Sequence, residues 1–339
     1  MIQVGVIGCG YWGPNLIRNL SKTRECKVIA VADADPAKLE EMKRLYPTLV
    51  TYSSGEELLE ESSIQAVVIA TPISSHYRLG KLGLSRGKHL LIEKPLTATV
   101  AQAEELISMA EAQSRVLMVD HTFLYSGAVK KIEEIMSSGQ LGDLYYYDSV
   151  RVNLGLLQPD VNVLWDLAPH DFAIMLHLVN KEPQKVSAIG SSPVRWEGWE
   201  RESIVYVAVQ FSEDFIAHFH VNWLSPVKVR QTLIGGSKKM VIYDHLDQHT
   251  QVKVFDKGLS PPTEGQKYKA LVHYRTGDMW APKIDQAEPL ELVCSHFIEC
   301  IRNKRKPLTD GRSGLRVVRL LEAAQDSLSK RGLPVSIQG

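Results

Sequence analysis

The chain has 339 residues, 44% apolar and 23% charged, and its 39 basic residues balance its 39 acidic residues. This composition is typical of a globular protein, and the length fits two domains better than one core. Because there is no surplus of basic residues, we do not expect nucleic acid as a partner, and no apolar run is long enough to predict a membrane span.

The first motif is a glycine-rich turn between a strand and a helix. The short segment 2–7 is largely apolar and rich in β-branched residues, which predicts a buried strand, and a helix is predicted from Pro14. Between them lies Gly8-Cys9-Gly10-Tyr11-Trp12-Gly13, the spacing of the dinucleotide-binding fingerprint. Gly8 permits the tight turn, Gly10 the close approach of a pyrophosphate, and Gly13 the packing of helix on strand. We therefore predict that this loop, Tyr11 and Trp12 included, binds a dinucleotide; the alternative is a purely structural glycine turn.

Asp33 follows the second predicted strand, residues 27–32, and lies twenty residues after Gly13. An acidic residue at this distance is expected to hydrogen-bond the cofactor's ribose. Its carboxylate would repel a 2′-phosphate, and no arginine stands beside it, so the sequence favours NAD over NADP. The alternative is that Asp33 only forms a turn before Pro36.

The rest of the first 120 residues alternates strands and helices. Strands are predicted at 66–70, 89–92 and 116–119, and helices at 75–86 and 97–113, the latter capped by Thr97. This alternation is typical of βαβ units in a doubly wound parallel sheet. Residues 1–121 are therefore predicted to form an NAD-binding Rossmann domain.

From about residue 140 the pattern changes to longer strands with short links. We predict strands at 144–152, 204–211, 215–223, 228–234 and 239–244, helices at 167–179, 289–302 and 313–330, and a loop at 257–269. Successive strands with short links indicate an antiparallel sheet. Residues 122–339 are therefore predicted to form a second α/β domain with a large open antiparallel sheet, which binds substrate and supports oligomerisation.

Polar residues follow two of the predicted parallel strands. Glu93-Lys94-Pro95 comes after the strand at 89–92, and Thr71-Pro72 comes after the strand at 66–70, with His76 five residues later. Ligands of open α/β sheets bind beyond the carboxyl ends of the strands, so Lys94 is predicted to meet a nicotinamide or its substrate. Its ammonium group could polarise a substrate oxygen. The alternative is a solvated loop lysine.

A second group of functional candidates lies in the segment 165–171. Asp166 and His170 are four residues apart and would share one face of a helix. An imidazole titrates near neutrality, as a general base for an alcohol must. Asp166 is predicted to cap the helix, with Pro169 in its first turn, and also to orient the imidazole. A purely structural histidine is the alternative.

These motifs together resemble the glucose-fructose oxidoreductase and inositol dehydrogenase family. The resemblance is carried by the loop at 6–13, by Ala70-Thr71-Pro72 with His76, by Glu93-Lys94-Pro95-Leu96, and by the pair Asp166 and His170. It implies a Rossmann domain and a C-terminal α/β domain whose open sheet often builds dimers or tetramers. It also implies that Lys94, Asp166 and His170 form the catalytic set, and that the cofactor is contacted by Thr71, Pro72, His76, Glu93 and Lys94.

Residues 151–170 are similar to family members that act on the 3-position of nucleotide sugars, although residues 162–165 replace a glycine-rich run that members often carry. The predicted enzyme is an NAD(P)-dependent dehydrogenase acting on CH–OH groups, with NAD as cofactor and a sugar, expected to be a nucleotide sugar, as substrate. Candidates for further substrate contacts are His121, Arg151 and Asn153. The alternatives are an inositol or free-sugar dehydrogenase, and a non-enzymatic regulator that binds NAD and senses a sugar.

No metal site is predicted from the cysteines and histidines. His218 and His220 lack a third ligand at useful spacing, and no zinc-binding pattern is formed by the four scattered cysteines, Cys9, Cys26, Cys294 and Cys300. Free thiols are typical of a reducing compartment, and because a strand is predicted from residue 2, we do not expect a signal peptide. A cytoplasmic location is therefore expected.

The strands at 204–209 and 215–217 carry apolar residues at both parities, so both faces of the second sheet are predicted to be apolar. Monomeric proteins rarely expose so large a patch, which predicts a homodimer or homotetramer joined through this sheet. The alternative is that the two C-terminal helices cover the outer face.

Overall fold

The computed structural model describes residues 1–155, 160–179, 181–194, 201–212, 214–260 and 273–337. The chain divides into two compact units: the first comprises Met1–Tyr125 and Ala287–Glu322, and the second comprises Ser126–Gln286 and Ala323–Gly339. The sequence-based division into 1–121 and 122–339 does not include the return of residues 287–322 to the first unit. An amphipathic helix pattern shows that a helix packs on a sheet but not on which sheet, so this return is invisible in the sequence.

The first unit is built on one parallel sheet. Its strands are β1 (Ile2–Ile7), β2 (Cys26–Ala32), β3 (Val50–Tyr52), β4 (Ala66–Ile69), β5 (His89–Glu93) and β6 (Leu117–Asp120). They lie in the order β3-β2-β1-β4-β5-β6, and all neighbours are parallel. This order confirms the predicted doubly wound fold, and its reversal between β1 and β4 sets the ligand crevice beyond the carboxyl ends of the strands.

Nine α-helices lie in the described ranges. They are α1 (Gly13–Lys22), α2 (Pro36–Leu45), α3 (Gly55–Glu60), α4 (Ile73–Ser85), α5 (Val100–Ala112), α6 (Gly127–Ser137), α7 (Val163–Leu178), α8 (Pro289–Asn303) and α9 (Gly311–Ser329). The predicted cap of α5 was wrong: Thr99 is the cap and accepts the Gln102 N–H at 3.3 Å. Thr97 lies too early in the chain, and its hydroxyl donates instead to the Thr99 carbonyl at 2.9 Å.

The second unit contains a nine-stranded sheet. Its strands are β7 (Leu144–Leu154), β8 (Lys185–Ser191), β9 (Ile204–Ser212), β10 (Phe215–Asn222), β11 (Leu224–Gly236), β12 (Met240–Asp244), β13 (Val252–Phe255), β16 (Met279–Trp280) and β17 (Val335–Ser336), and β14 (Gly258–Ser260) pairs separately with β15 (His273–Arg275). The order is β16-β13-β12-β11-β7-β10-β9-β8-β17. Of the loop predicted at 257–269, residues 258–260 form β14, and residues 261–269 lie outside the described residues.

The second sheet is mixed, which corrects the prediction of an antiparallel sheet. β10 runs parallel to β7, while the other described pairs of this sheet are antiparallel. Between β7 and β10 the chain passes through α7 and the pair β8–β9, and a crossover of this length permits a parallel neighbour. Short links between successive strands do not reveal such a non-local pairing.

The two faces of this sheet differ in what covers them. On β10 the inward side chains of residues 215, 217, 219 and 221 are at most 2% exposed, and the ring of Phe172 from α7 packs edge-on against Phe219 at 4.8 Å. The alternate residues point to the other face, where Ile216 is 50% exposed and Tyr206 of β9 is 46% exposed. The inner face therefore holds the core of the unit.

Across the described ranges, every helix is too short or too polar to cross a membrane.

Candidate active site

The glycine loop that follows β1 fits a dinucleotide. Gly8 has a φ of +98°, and a Cβ there would lie 2.5 Å from the Ala70 carbonyl oxygen. A Cβ at Gly13 would lie 2.0 Å from the Gly8 carbonyl oxygen. Gly10 differs, because a Cβ there would meet nothing within 4 Å. The protein itself thus requires the outer two glycines, while the open space at Gly10 suits the approach of a pyrophosphate.

The N-terminus of α1 is available to an anion. Trp12 is the N-cap residue and makes no side-chain hydrogen bond to the helix, and Pro14 occupies the first turn. The first N–H groups are therefore not satisfied by a side-chain cap, and with the helix dipole they favour a negatively charged group. Tyr11 is 79% exposed and Trp12 is 41% exposed, with their rings edge to face at 5.3 Å. Both aromatic rings remain accessible to a ligand.

Asp33 joins the glycine loop to the end of β2. One carboxylate oxygen accepts the Cys9 N–H at 2.6 Å, and the other accepts the Asp35 N–H at 2.9 Å. Each carboxylate oxygen has a second lone pair, so ribose hydroxyls can still donate to Asp33. Lys38 lies 4.0 Å away. Burial, together with the charge of Asp33, raises the pKa of the Cys9 thiol to about 12, so this thiol stays protonated in the loop.

His76 connects two loops at the carboxyl edge of the parallel sheet. Its Nδ1 lies 2.9 Å from the Pro95 carbonyl oxygen, and its Nε2 lies 2.8 Å from the Thr71 carbonyl oxygen. The ring is 1% exposed, and burial lowers its pKa. This geometry gives His76 a role in holding the turn at Thr71 and Pro72 beside the Lys94-Pro95 segment. The predicted contact of His76 with the cofactor stays a prediction.

Two buried carboxyl groups lie at the ends of neighbouring strands, and Lys94 directly follows the first of them. Glu93 ends β5, Asp120 ends β6, and the two residues are paired in register. His121 comes next and is 2% exposed, and among the described residues neither of its ring nitrogens has a hydrogen-bond partner. Burial and the charge of Lys94 lower the pKa of His121 to about 3, so the ring is neutral. A neutral imidazole that offers one donor and one acceptor suits a polar ligand, in keeping with its prediction as a substrate contact.

Asp120 was missed from the sequence. It is a charged residue at the carboxyl end of a buried strand, next to the strand that ends in Glu93. The rule that located Lys94 applies equally to Asp120, so the signal was present.

Asp166 and His170 lie on α7 in the second unit. The helix begins earlier than predicted because Asn162 is its cap and accepts the Trp165 N–H at 3.3 Å. The prediction of Asp166 as the cap was therefore wrong, and Pro169 is inside the helix. Asp166 accepts a hydrogen bond from the indole Nε1 of the buried Trp223 at 3.0 Å. This bond fixes the carboxylate one helical turn before His170.

Arg151 and Asn153 lie on β7. Arg151 is 4% exposed and binds both carboxylate oxygens of Asp171, at 2.6 and 3.0 Å. This buried ion pair ties β7 to α7 next to His170, so the geometry gives Arg151 a structural role and its substrate contact stays a prediction. The Oδ1 atom of Asn153 is buried and has no hydrogen-bond partner within the described ranges, which leaves it able to accept a bond from a ligand.

The predicted site residues thus fall into two groups. The first unit holds the cofactor candidates and His121: Gly8, Gly10, Tyr11, Trp12, Gly13, Asp33, Thr71, Pro72, His76, Glu93, Lys94 and His121. The second unit holds Arg151, Asn153, Asp166 and His170. Trp223 was not predicted as a site residue, and a tryptophan at the end of an otherwise alternating strand was its only signal. No cluster of three or more His, Cys, Asp or Glu side chains that could hold a metal occurs in the described part of the chain.

The chain belongs to the glucose-fructose oxidoreductase and inositol dehydrogenase family. The model of its oxidoreductase domain with an NAD-binding Rossmann fold matches residues 2–121, and the model of its C-terminal α/β domain matches residues 134–337. These matches confirm the predicted family, the α/β fold class and NAD as the cofactor. Both models describe an oxidoreductase family, in agreement with the predicted class of protein.

Curated relatives match over different lengths. The uncharacterized oxidoreductase YdgJ of Escherichia coli (strain K12) is 31% identical over 192 residues, which are 52% of this chain and 53% of that protein. The myo-inositol 2-dehydrogenase of Thermotoga maritima is 22% identical over 338 residues, which are 97% of each protein. The chain thus spans about half the length, or less, of several relatives that it matches.

Two solved structures share the fold over nearly the whole chain. The WlbA dehydrogenase of Bordetella pertussis, in complex with NADH and UDP-GlcNAcA, superposes with a TM-score of 0.84 at 18% identity and covers 100% of this chain and 98% of its own. The UDP-N-acetylglucosamine 3-dehydrogenase GnnA of Acidithiobacillus ferrooxidans superposes with a TM-score of 0.80 at 21% identity and covers 97% of this chain and 98% of its own.

Proposed function

We propose that the chain is an NAD-dependent dehydrogenase acting on a secondary hydroxyl or ketone of a sugar, and that the sugar is a nucleotide sugar that reacts at its 3-position. The observation that carries the proposal is on α7, where His170 follows an Asp166 carboxylate held by the Trp223 indole at 3.0 Å. A regulator that only senses a sugar needs no acid–base group beside an oriented carboxylate.

Each residue has a separate role in this proposal. His170 takes the hydroxyl proton during oxidation and returns it during reduction. Lys94 donates a hydrogen bond to the same oxygen and stabilises its developing negative charge. Asp166 orients the imidazole. The glycine loop and Asp33 hold NAD, which supplies the hydride acceptor when bound, or the donor as NADH.

The substrate class is supported by residues 151–170, which resemble members that act on nucleotide sugars. It is also supported by the fold shared with WlbA, solved in complex with UDP-GlcNAcA, and with GnnA, a UDP-N-acetylglucosamine 3-dehydrogenase. A second candidate is an inositol or free-sugar dehydrogenase. It is supported by the match to the myo-inositol 2-dehydrogenase of Thermotoga maritima over 97% of both proteins.

A substrate panel tests the proposal. The protein is incubated with NAD and UDP-sugars, dTDP-sugars, free sugars or inositols, and reduced nicotinamide is followed by absorbance. A nucleotide sugar should give the highest kcat/KM, and deuterium at its C3 should appear on the nicotinamide. An inositol as the best substrate would favour the second candidate. NAD binding without turnover of any member of the panel would favour the sensor.

We also propose that a second copy of the chain covers the outer face of the nine-stranded sheet. Three large apolar side chains on β8, β9 and β10 remain exposed there in the single chain: Ile189 by 65%, Tyr206 by 46% and Ile216 by 50%. A patch of this kind favours self-association, most often with two-fold symmetry.

A cytoplasmic location is proposed from the cysteines. All four are buried free thiols, a form that reducing compartments favour. Fractionation of cells that express the chain would place it in the cytoplasmic fraction if this is right, and in the membrane or secreted fraction if it is wrong.

A further inference from the structure

Two carboxyl groups are buried side by side beneath the Lys94 loop. Glu93 and Asp120 are register partners on the parallel strands β5 and β6. Register partners point to the same face of a sheet from strands about 4.8 Å apart, so their side chains are adjacent. Glu93 is 8% exposed and Asp120 is 2% exposed. Two acids are therefore held in contact away from water.

Among the described residues, one carboxylate oxygen of this pair receives no hydrogen bond. The Lys94 N–H donates to Glu93 Oε2 at 3.2 Å, and the Thr122 hydroxyl donates to Asp120 Oδ1 at 2.5 Å. Glu93 Oε1 is buried and receives no hydrogen bond from the described residues. The two adjacent carboxyl groups of these register partners are hydrogen-bond partners of each other, and two ionised carboxylates can only accept. One proton between them supplies the missing donor.

The ionisation states of the groups around Glu93 and Asp120 are consistent with one proton shared by the two carboxyl groups. Burial and then the charge of Asp120 raise the pKa of Glu93 well above its usual value, and burial raises the pKa of Asp120. His121 is neutral, and burial raises the pKa values of the neighbouring Tyr125 and Cys294, so these two also stay neutral. Lys94 then supplies a positive charge near Glu93 and Asp120, and a single negative charge on the two carboxyl groups neutralises it.

We propose that Glu93 and Asp120 share one proton and act as a single monovalent anion that positions the ammonium group of Lys94. The two are positioning residues, because they act on the reaction through Lys94. A second negative charge would oppose the negative charge that develops on the substrate oxygen, and no charge would leave the ammonium group without its counterion. This inference rests on the role proposed for Lys94 but can be measured without catalysis.

Carbon-13 NMR of the full chain with bound NADH tests the shared proton. The side-chain carboxyl carbons of glutamate are labelled, and the Glu93 signal is assigned by its loss in Glu93→Gln. We expect the Glu93 signal to titrate well above the usual range of glutamate. In Asp120→Asn its midpoint should fall, because the neighbouring charge is gone. Glu40→Gln, which removes an exposed carboxylate on α2, should leave the Glu93 titration in place. A Glu93 carboxylate fully ionised at neutral pH in the unaltered protein overturns the proposal.

Kinetics test the positioning role. Glu93→Gln and Asp120→Asn each leave one carboxylate beside a neutral amide, whereas the double variant leaves none. Turnover in the double variant should fall at least about tenfold below that of either single variant, the effect of one hydrogen-bonded charge. A single variant that loses as much as the double variant contradicts a shared proton. If the double variant does not fold, the NMR titration decides. If Lys94→Ala retains turnover while the titration shows the shared proton, the proposed role of Lys94 fails and the shared proton stands.

Discussion

At the scale of single residues, Asp33 is the residue that we propose to select NAD over NADP. Replacement by serine removes the carboxylate that would bind the ribose and repel a 2′-phosphate. NAD binding should weaken by roughly 1–3 kcal/mol, while NADP binding should weaken less. Calorimetric titration of both cofactors measures the difference. Asp35→Asn is the matched control, because asparagine can still cap α2 by accepting the Ala37 N–H. Tighter binding of NADP than of NAD by the unaltered protein would contradict the assignment.

Trp223 is the residue whose effect on Asp166 is most easily isolated. Phenylalanine keeps an aromatic ring but removes the N–H that donates to Asp166. We expect kcat to fall about tenfold, as for one hydrogen bond to a charged group, with NAD affinity retained. Trp165→Phe is the control. Trp165 lies on the same helix as Asp166, but its indole donates to Gln325 instead. Equal kcat losses in the two variants, or no loss in Trp223→Phe, would show that the bond to Asp166 does not matter.

At the scale of elements, the ion pair between Arg151 and Asp171 holds β7 against α7. Arg151→Met leaves the Asp171 carboxylate buried without its partner, which should lower the free energy of unfolding by about 3–5 kcal/mol. The double variant Arg151→Met, Asp171→Leu removes both charges and should recover part of this loss. Urea unfolding measures both. A single variant as stable as the unaltered chain would show that the pair contributes little.

The predictability of each element depends on how local its determinants are. The glycine loop, β1, β2 and the Glu93–Lys94 turn were predicted from the sequence because each is fixed by residues within a few positions. The start of α7 was missed because Pro169 suggested a first turn, whereas the capping interaction belongs to Asn162. The parallel pairing of β7 with β10 was missed because no local pattern encodes which distant strands meet.

The same limit applies to the candidate site. Asp33, Lys94 and His170 follow from spacing, since each lies at a fixed distance from a strand end or on a helix face. The bond from Trp223 to Asp166 and the contact of Glu93 with Asp120 join residues 57 and 27 positions apart. Contacts of this kind depend on strand order, which the sequence pattern alone does not specify.

At the scale of the whole molecule, the outer face of the second sheet predicts self-association. Sedimentation at micromolar concentration should give a dimer or tetramer rather than the 37.9 kDa chain. Ile216→Lys places a charge on this face and should shift the protein toward the monomer. Leu45→Lys is the control, since Leu45 is 56% exposed but ends α2 in the first unit. A monomer in the unaltered protein would count against the proposed assembly.

His170 is proposed to exchange the substrate proton during NAD-dependent turnover. The direct measurement is the rate of nicotinamide reduction in His170→Ala with the best substrate of the panel, together with its NAD affinity. We expect turnover to fall by about 10²–10⁴-fold with NAD binding retained. His177→Ala, which removes an imidazole from the same helix near Glu133, should retain turnover. Normal turnover by His170→Ala would show that His170 is not the acid–base group.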